Sequence, residues 1–171
     1  MRLRKSLILL PVASLLAILS HLNWVQDDLG GLLTIDEQPL DVIGHFENQF
    51  TKLTRNCRSV QRLSTTDPAY KLTQSLIAEY SPPDSSLSTI AAVWSMDDWL
   101  MAEVEFKELL PAVVLIQRNG SDAAIVPDAV WSGYSHPHLP APFIRQFLIQ
   151  KLDAPPLDLI NCFEPQSRSF K

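Results

Sequence analysis

His136 and His138 flank Pro137 within the stretch Pro-Asp-Ala-Val-Trp-Ser-Gly-Tyr-Ser-His-Pro-His-Leu-Pro, residues 127–140. On an extended segment an H-x-H pair points both rings to the same side, so the two imidazoles could share a metal ion. A third ligand would be needed, and Asp128 is the nearest acid in sequence. The plain alternative is a surface loop with two ordinary histidines, and no metal is assigned. Trp131 and Tyr134 lie in the same stretch. Loops carry binding residues more often than scaffolds do, and aromatics with a polar handle suit protein interfaces. Trp131, Tyr134, His136 and His138 are therefore interface candidates. The alternative for Trp131 is packing over the end of a sheet.

Two carboxylate pairs could do acid–base chemistry. Glu103 and Glu105 fall on one side of a strand, roughly 7 Å apart, a spacing compatible with a glycosidase pair. A solvated sheet face explains them as well. Asp97-Asp98 reads as a turn. Ser132 and Ser135 lack the context of a nucleophile elbow. Asn119-Gly120-Ser121 matches a glycosylation sequon, but an Asn-Gly hairpin turn accounts for it. No catalytic motif emerges, so the chain is read as a non-enzyme with no cofactor.

Cys57 and Cys162 are the two cysteines. In an exported protein one pair is most simply a disulfide. It would close a loop of roughly a hundred residues, a constraint worth at most about 4–5 kcal/mol. The alternative is two buried thiols packed as small hydrophobes. Neither cysteine belongs to a C-x-x-C motif, which disfavours redox catalysis and zinc binding.

Export is suggested by the N-terminus. Arg2, Arg4 and Lys5 precede an apolar run from Leu7 to Leu19, interrupted only by Ser14. Residues 1–25 read as a signal peptide or a signal-anchor. Counted on to Val25 the run is long enough, at about 20 residues, to span a bilayer. Trp24 would then mark the far interface, with the basic end in the cytoplasm. Either fate puts the body outside the cytoplasm, single-pass at the inner or plasma membrane with a periplasmic domain, or secreted. Without the three basic residues, 11 basic and 19 acidic side chains remain, a net −8. That argues against nucleic-acid binding.

Ile43, Phe46, Phe50, Leu53, Cys57 and Val60 recur at steps of 3 and 4, an apolar seam on a helix over 40–63. Such a helix is about 35 Å long, and the rest of the chain is expected to fold against it. Arg55, Arg58 and Arg62 join Lys52 in a basic stripe off the seam. The stripe serves as a solvated face or as a docking surface for an acidic partner. A second helix is expected from Pro68 to about Glu79, and a third from near Pro142. Between them the period changes to two. Strands are predicted at 88–95, 99–106, 112–117 and 123–126, with Leu100, Ala102, Val104 and Phe106 on one face.

The predicted fold is α+β. An N-terminal membrane-type helix precedes a long amphipathic helix packed on a four-stranded antiparallel meander, with C-terminal helices after it. The domain plan is a signal segment (1–25), a linker (26–38), one extracytoplasmic domain (39–164) and a polar tail (165–171). This element order is similar to that of cystatin-like and NTF2-like folds, a likeness of order that implies little about function. The functional expectation is a membrane-tethered accessory or structural subunit of an envelope assembly, acting by protein binding. It would hold the membrane through residues 7–25, and homodimerise through helix 40–63 in one form. The alternative is a small-ligand or metal-binding module built on the 127–140 loop.

Overall fold

The computed structural model describes residues 20–27, 30–80, 82–120, 122–167 and 169–170. These form an α+β fold with four helices and two antiparallel sheets. The first sheet comprises β1 (Leu22–Asp27), β2 (Gly30–Ile35) and β3 (Gln38–Leu40) in that order. Helix α1 (Val42–Thr54) follows, then a two-residue strand β4 (Gln61–Arg62) and helix α2 (Pro68–Tyr80). Strands β5 (Thr89–Met96), β6 (Trp99–Glu105), β7 (Ala112–Asn119) and β8 (Asp122–Ser132) join β4 in a five-stranded sheet of sequential order. Helices α3 (Pro140–Gln150) and α4 (Leu157–Asn161) close the chain.

Period-two patterning builds the large sheet, and its turns are set by residues that accept a left-handed backbone. Asp97 turns β5 into β6 at φ 50°, and Gly120 turns β7 into β8 at φ 66°. Leu100, Ala102 and Val104 of β6 meet Ile77 of α2 on one face. Met101 points the other way, into a core with Trp94, Leu115, Ile144, Leu148 and Phe163 under α3 and α4. With both faces covered, β7 reads as an unbroken buried run, Ala112–Ile116.

Several expectations need correction. The helix expected over 40–63 stops at Thr54, where Arg55 turns extended (ψ 148°). The Asn56 side chain accepts the Arg58 N–H at 3.3 Å, a local bond that competes with helix continuation. Nor does α1 lie on the large sheet; its main contacts are with α3 and β2. The sheet has five strands rather than four, because Gln61–Arg62 pairs with β5. The linker expected at 26–38 is mostly strand, and Leu22–Val25 belong to β1. Trp24 therefore sits in a sheet, its ring over Gly31, where a side chain would collide. Residues 1–19 lie outside the described residues, and with them most of the expected membrane segment. Among the described residues no helix is long and apolar enough to cross a membrane.

The C-terminal segment also departs from expectation. Residues 165–171 are not a free polar tail where they are described. Phe170 is fully buried against Trp131, with ring centroids 5.3 Å apart. Nor do Glu103 and Glu105 form a solvated face. Glu103 is fully buried and accepts the backbone N–H groups of Gln166 (2.9 Å) and Ser167 (2.6 Å). Glu105 accepts the hydroxyls of Ser167 and Ser169. The two carboxylates thus strap the terminal segment to the sheet.

Burial pushes the Glu103 carboxyl above its usual value; the Gln166 and Ser167 amides oppose this, and the nearby Glu105 charge adds to it. The folded protein therefore binds this proton more tightly than the unfolded chain. Its stabilising contribution is complete below the ordinary carboxylate value of 4.5 and is lost as pH rises through the raised folded value. Glu103→Gln should abolish that slope. It should also lower stability by about 1 kcal/mol: one carboxylate oxygen accepts both N–H groups, so the amide oxygen can keep them, and the amide NH2 faces only the shared Gln166 N–H. Urea midpoints for both proteins, measured from pH 4 upward, would show this. Parallel pH profiles would contradict it.

Candidate interaction surface

Helix α1 is amphipathic, and its two sides have exchanged their usual roles. Asp41, Gly44, Asn48, Lys52 and Arg55 recur at steps of 3 and 4 and form one stripe. Ile43, Phe46, Phe50 and Leu53 form another. At about 100° per residue the stripes lie on opposite sides of the helix. The polar stripe makes the attachments. Asp41 accepts the Gly44 N–H at 2.7 Å, capping the helix, and also accepts the Leu139 N–H at 2.8 Å from the segment leading into α3. Asn48 accepts from Arg145 of α3 at 3.1 Å. Lys52 and Arg55 pair with Glu164 at 3.5 and 2.8 Å. Just past the helix the disulfide joins Cys57 to Cys162, with 5.7 Å between their Cα atoms.

The apolar stripe consequently points outward. Ile43 is 45% exposed, Phe46 74%, Phe50 69% and Leu53 85%. The expected core seam is thus a solvent-facing stripe. Its surroundings extend it: Leu40 and Phe46 line one shallow apolar hollow. Leu40 pairs with Leu33, and Leu33 with Trp24, in a row across the small sheet. Trp24 and Leu40 are both exposed. Scattered exposed apolar residues are ordinary, but a contiguous run of this kind marks an interaction site.

Arg145 is the anchor beneath this helix. It is 3% exposed, and it donates to the Phe163 carbonyl from Nε (3.0 Å) and Nη2 (2.6 Å) and to Glu164 at 2.8 Å. Burial lowers its pKa, and the Glu164 charge works against that shift.

The residues singled out from the sequence scatter. Trp131 is buried against Phe143 and Phe170, so it packs the core and is no interface anchor. It belongs to β8, which runs through Pro127. An edge strand tolerates a proline, and here the ladder is irregular between Ile125 and Val130. Tyr134 and His136 are exposed, whereas His138 is buried and stacks on Phe143 at 5.8 Å. The His138 N–H donates to the Ser135 carbonyl at 2.7 Å, so the segment turns and the two rings do not share a side. Among the described residues no group of three or more metal-ligating side chains converges. His138 Nδ1 lies 3.8 Å from Asp41, beside a cavity of about 210 Å³ that also touches Glu47. Among the described residues no Ser, Thr or Cys lines that cavity.

The basic stripe also dissolves. Arg55 is committed to Glu164 and to the Asn161 carbonyl. Arg62, in β4, donates to Gln166 and to the Ala91 carbonyl. Arg58 is exposed. Since only Lys52 lies within the helix, the four cations share no helical face. The stripe of α1 was visible in the sequence as a pattern, but its direction was not. The one available signal was the second, polar stripe with the same period.

No family model matches the chain, and no curated protein or solved structure matches it.

Proposed function

We propose that this chain is an exported accessory subunit of an envelope assembly that binds another protein through the outward stripe of α1. The supporting observation is the inverted helix: polar contacts hold it, and four large apolar side chains face solvent. The disulfide fits an oxidising compartment outside the cytoplasm. Residues 1–19 serve as the export segment. With Leu22–Val25 in β1, the preceding apolar run is Leu7–Leu19, the length of a signal-peptide core rather than of a bilayer span. The proposal therefore does not require a permanent tether.

The partner is best described by how it would meet α1. Residues 43, 46, 50 and 53 are the anchors of a helix laid in an apolar groove. At thirteen residues the helix is too short to sustain a coiled-coil dimer, which needs several heptads. A groove on a different protein is thus favoured over a second copy. Burying each anchor is worth about 1.5–3 kcal/mol.

A photo-crosslinker at position 50 should give an adduct in the native envelope heavier than the chain alone and different from twice its mass. The same probe at exposed Gln74 of α2 should give none. An adduct of twice the mass would move the site to self-association, and no adduct at all would remove the reading. Phe46→Glu should weaken the captured pair by about thirtyfold, as for a hot-spot side chain, without changing the chain's own stability.

A further inference from the structure

On the opposite face of the large sheet from α3, α2 covers only part of the apolar surface. A cavity of about 330 Å³ opens beside it. Its floor is Ala112 and Val114 of β7, two small side chains whose size leaves the space. Ile77 of α2 walls one side, with Ile125 and Val130 of β8 among the other walls. Leu109, Leu110 and Tyr80 stand at the mouth, all partly exposed. We propose that this cavity binds a single aliphatic chain of about ten carbons, with its polar end at the mouth.

Three features restrict the ligand. First, among the described residues no charged side chain and no histidine lines the cavity. A charge carried inside would lose its water without compensation, so the buried part of the ligand must be apolar. Second, the few polar groups in the wall are already satisfied. The Ser85 hydroxyl donates to the Ala78 carbonyl at 2.8 Å, and the exposed Ser132 hydroxyl, 3.5 Å from the Leu110 carbonyl, is open to water. The wall therefore places no hydrogen-bonding demand on the ligand, as an alkyl chain requires. The Tyr80 phenol stands at the mouth, where a head group would meet water. Third, the size is bounded. At about the 30 Å³ that a water takes in the liquid, the space holds roughly ten heavy atoms. The volume sits at the lower end for small-molecule sites.

This inference is independent of the docking reading, since α1 packs on α3 across the sheet. The test is calorimetric titration of the full chain with hexanoate, octanoate, decanoate and dodecanoate, each below its micelle concentration. Affinity should rise about fourfold per methylene and level off near ten carbons. Ala112→Phe, which fills the floor, should abolish binding. Leu110→Asp at the rim, where Leu110 is 46% exposed, should weaken decanoate binding at least tenfold, with the unchanged circular dichroism of the variant showing that it folds. Phe46→Glu on α1 should leave it unchanged. Absence of binding at millimolar decanoate, or affinity without dependence on chain length, would overturn the proposal. So would undiminished binding by Leu110→Asp.

Discussion

Replacing both cysteines, Cys57→Ser with Cys162→Ser, should lower the unfolding free energy by about 4 kcal/mol, near the entropic limit for so long a loop. The bridge spans 105 residues in sequence and so restricts most of the unfolded chain. It also ties the segment after α1 to the segment after α4, the region where Lys52 and Arg55 meet Glu164. For a chain of this length the loss corresponds to a fall of roughly 8–16 °C in the thermal midpoint. Reductant should shift the wild type toward the variant and leave the variant where it is. Urea unfolding with and without reductant measures both. A difference below 1 kcal/mol would mean that the α1 attachment and the reduced unfolded state already supply the constraint. Replacing only one cysteine is a poorer experiment, because the remaining thiol on an exposed segment invites intermolecular pairing.

Much of the large sheet was legible because its signals are local. Alternation in Trp99–Glu105, the Asp97-Asp98 turn and the Asn119-Gly120 turn each act within a few residues. The disulfide was legible because an export-type N-terminus and a cysteine count of two both point to it. Features that depend on which side faces inward were not. The amphipathic pattern of α1 is the same whether its phenylalanines meet a core or solvent; only Asp41, Asn48 and Arg55 finding partners on other elements settles it. Glu103 misled for a related reason. An acidic residue at an alternating position reads as solvent-facing, and its actual partners are backbone amides some sixty residues later. Pro127 marked the end of a strand by ordinary rules, whereas its place in the edge strand β8 let the strand continue to Trp131.

The candidate surface and the cavity share a cause. The large sheet is covered by short helices that contact it through a few side chains each. Helix α1 is left to be held by polar bonds from the side, and α2 is left too small for the face it covers. Exposed apolar area of this kind costs solubility. A folded chain that keeps it on two separate surfaces is therefore better explained by two occupants than by loose packing.

Arg145→Ala should be nearly as damaging as loss of the disulfide, at about 3–5 kcal/mol. The guanidinium satisfies the Phe163 carbonyl twice, binds Glu164 and reaches Asn48 of α1, all while almost fully buried. Removing it strands the Phe163 carbonyl and opens a cavity beneath α1. Glu164 is less affected, because Lys52 and Arg55 remain beside it. Arg145→Met separates the contributions. It fills the volume without restoring the hydrogen bonds, so it should recover part of the loss and leave about 1–3 kcal/mol for the unsatisfied carbonyl. Arg145→Lys keeps the charge but lacks the planar fork, and should fall between the other two. Denaturation midpoints of the three variants test this order. Amide exchange along α1 adds a functional readout. If Arg145 fixes the helix that presents Phe46 and Phe50, its loss should speed exchange over Val42–Thr54 before the rest of the fold opens. Uniform acceleration across the chain would instead make Arg145 a general core contact, with no particular hold on the docking helix.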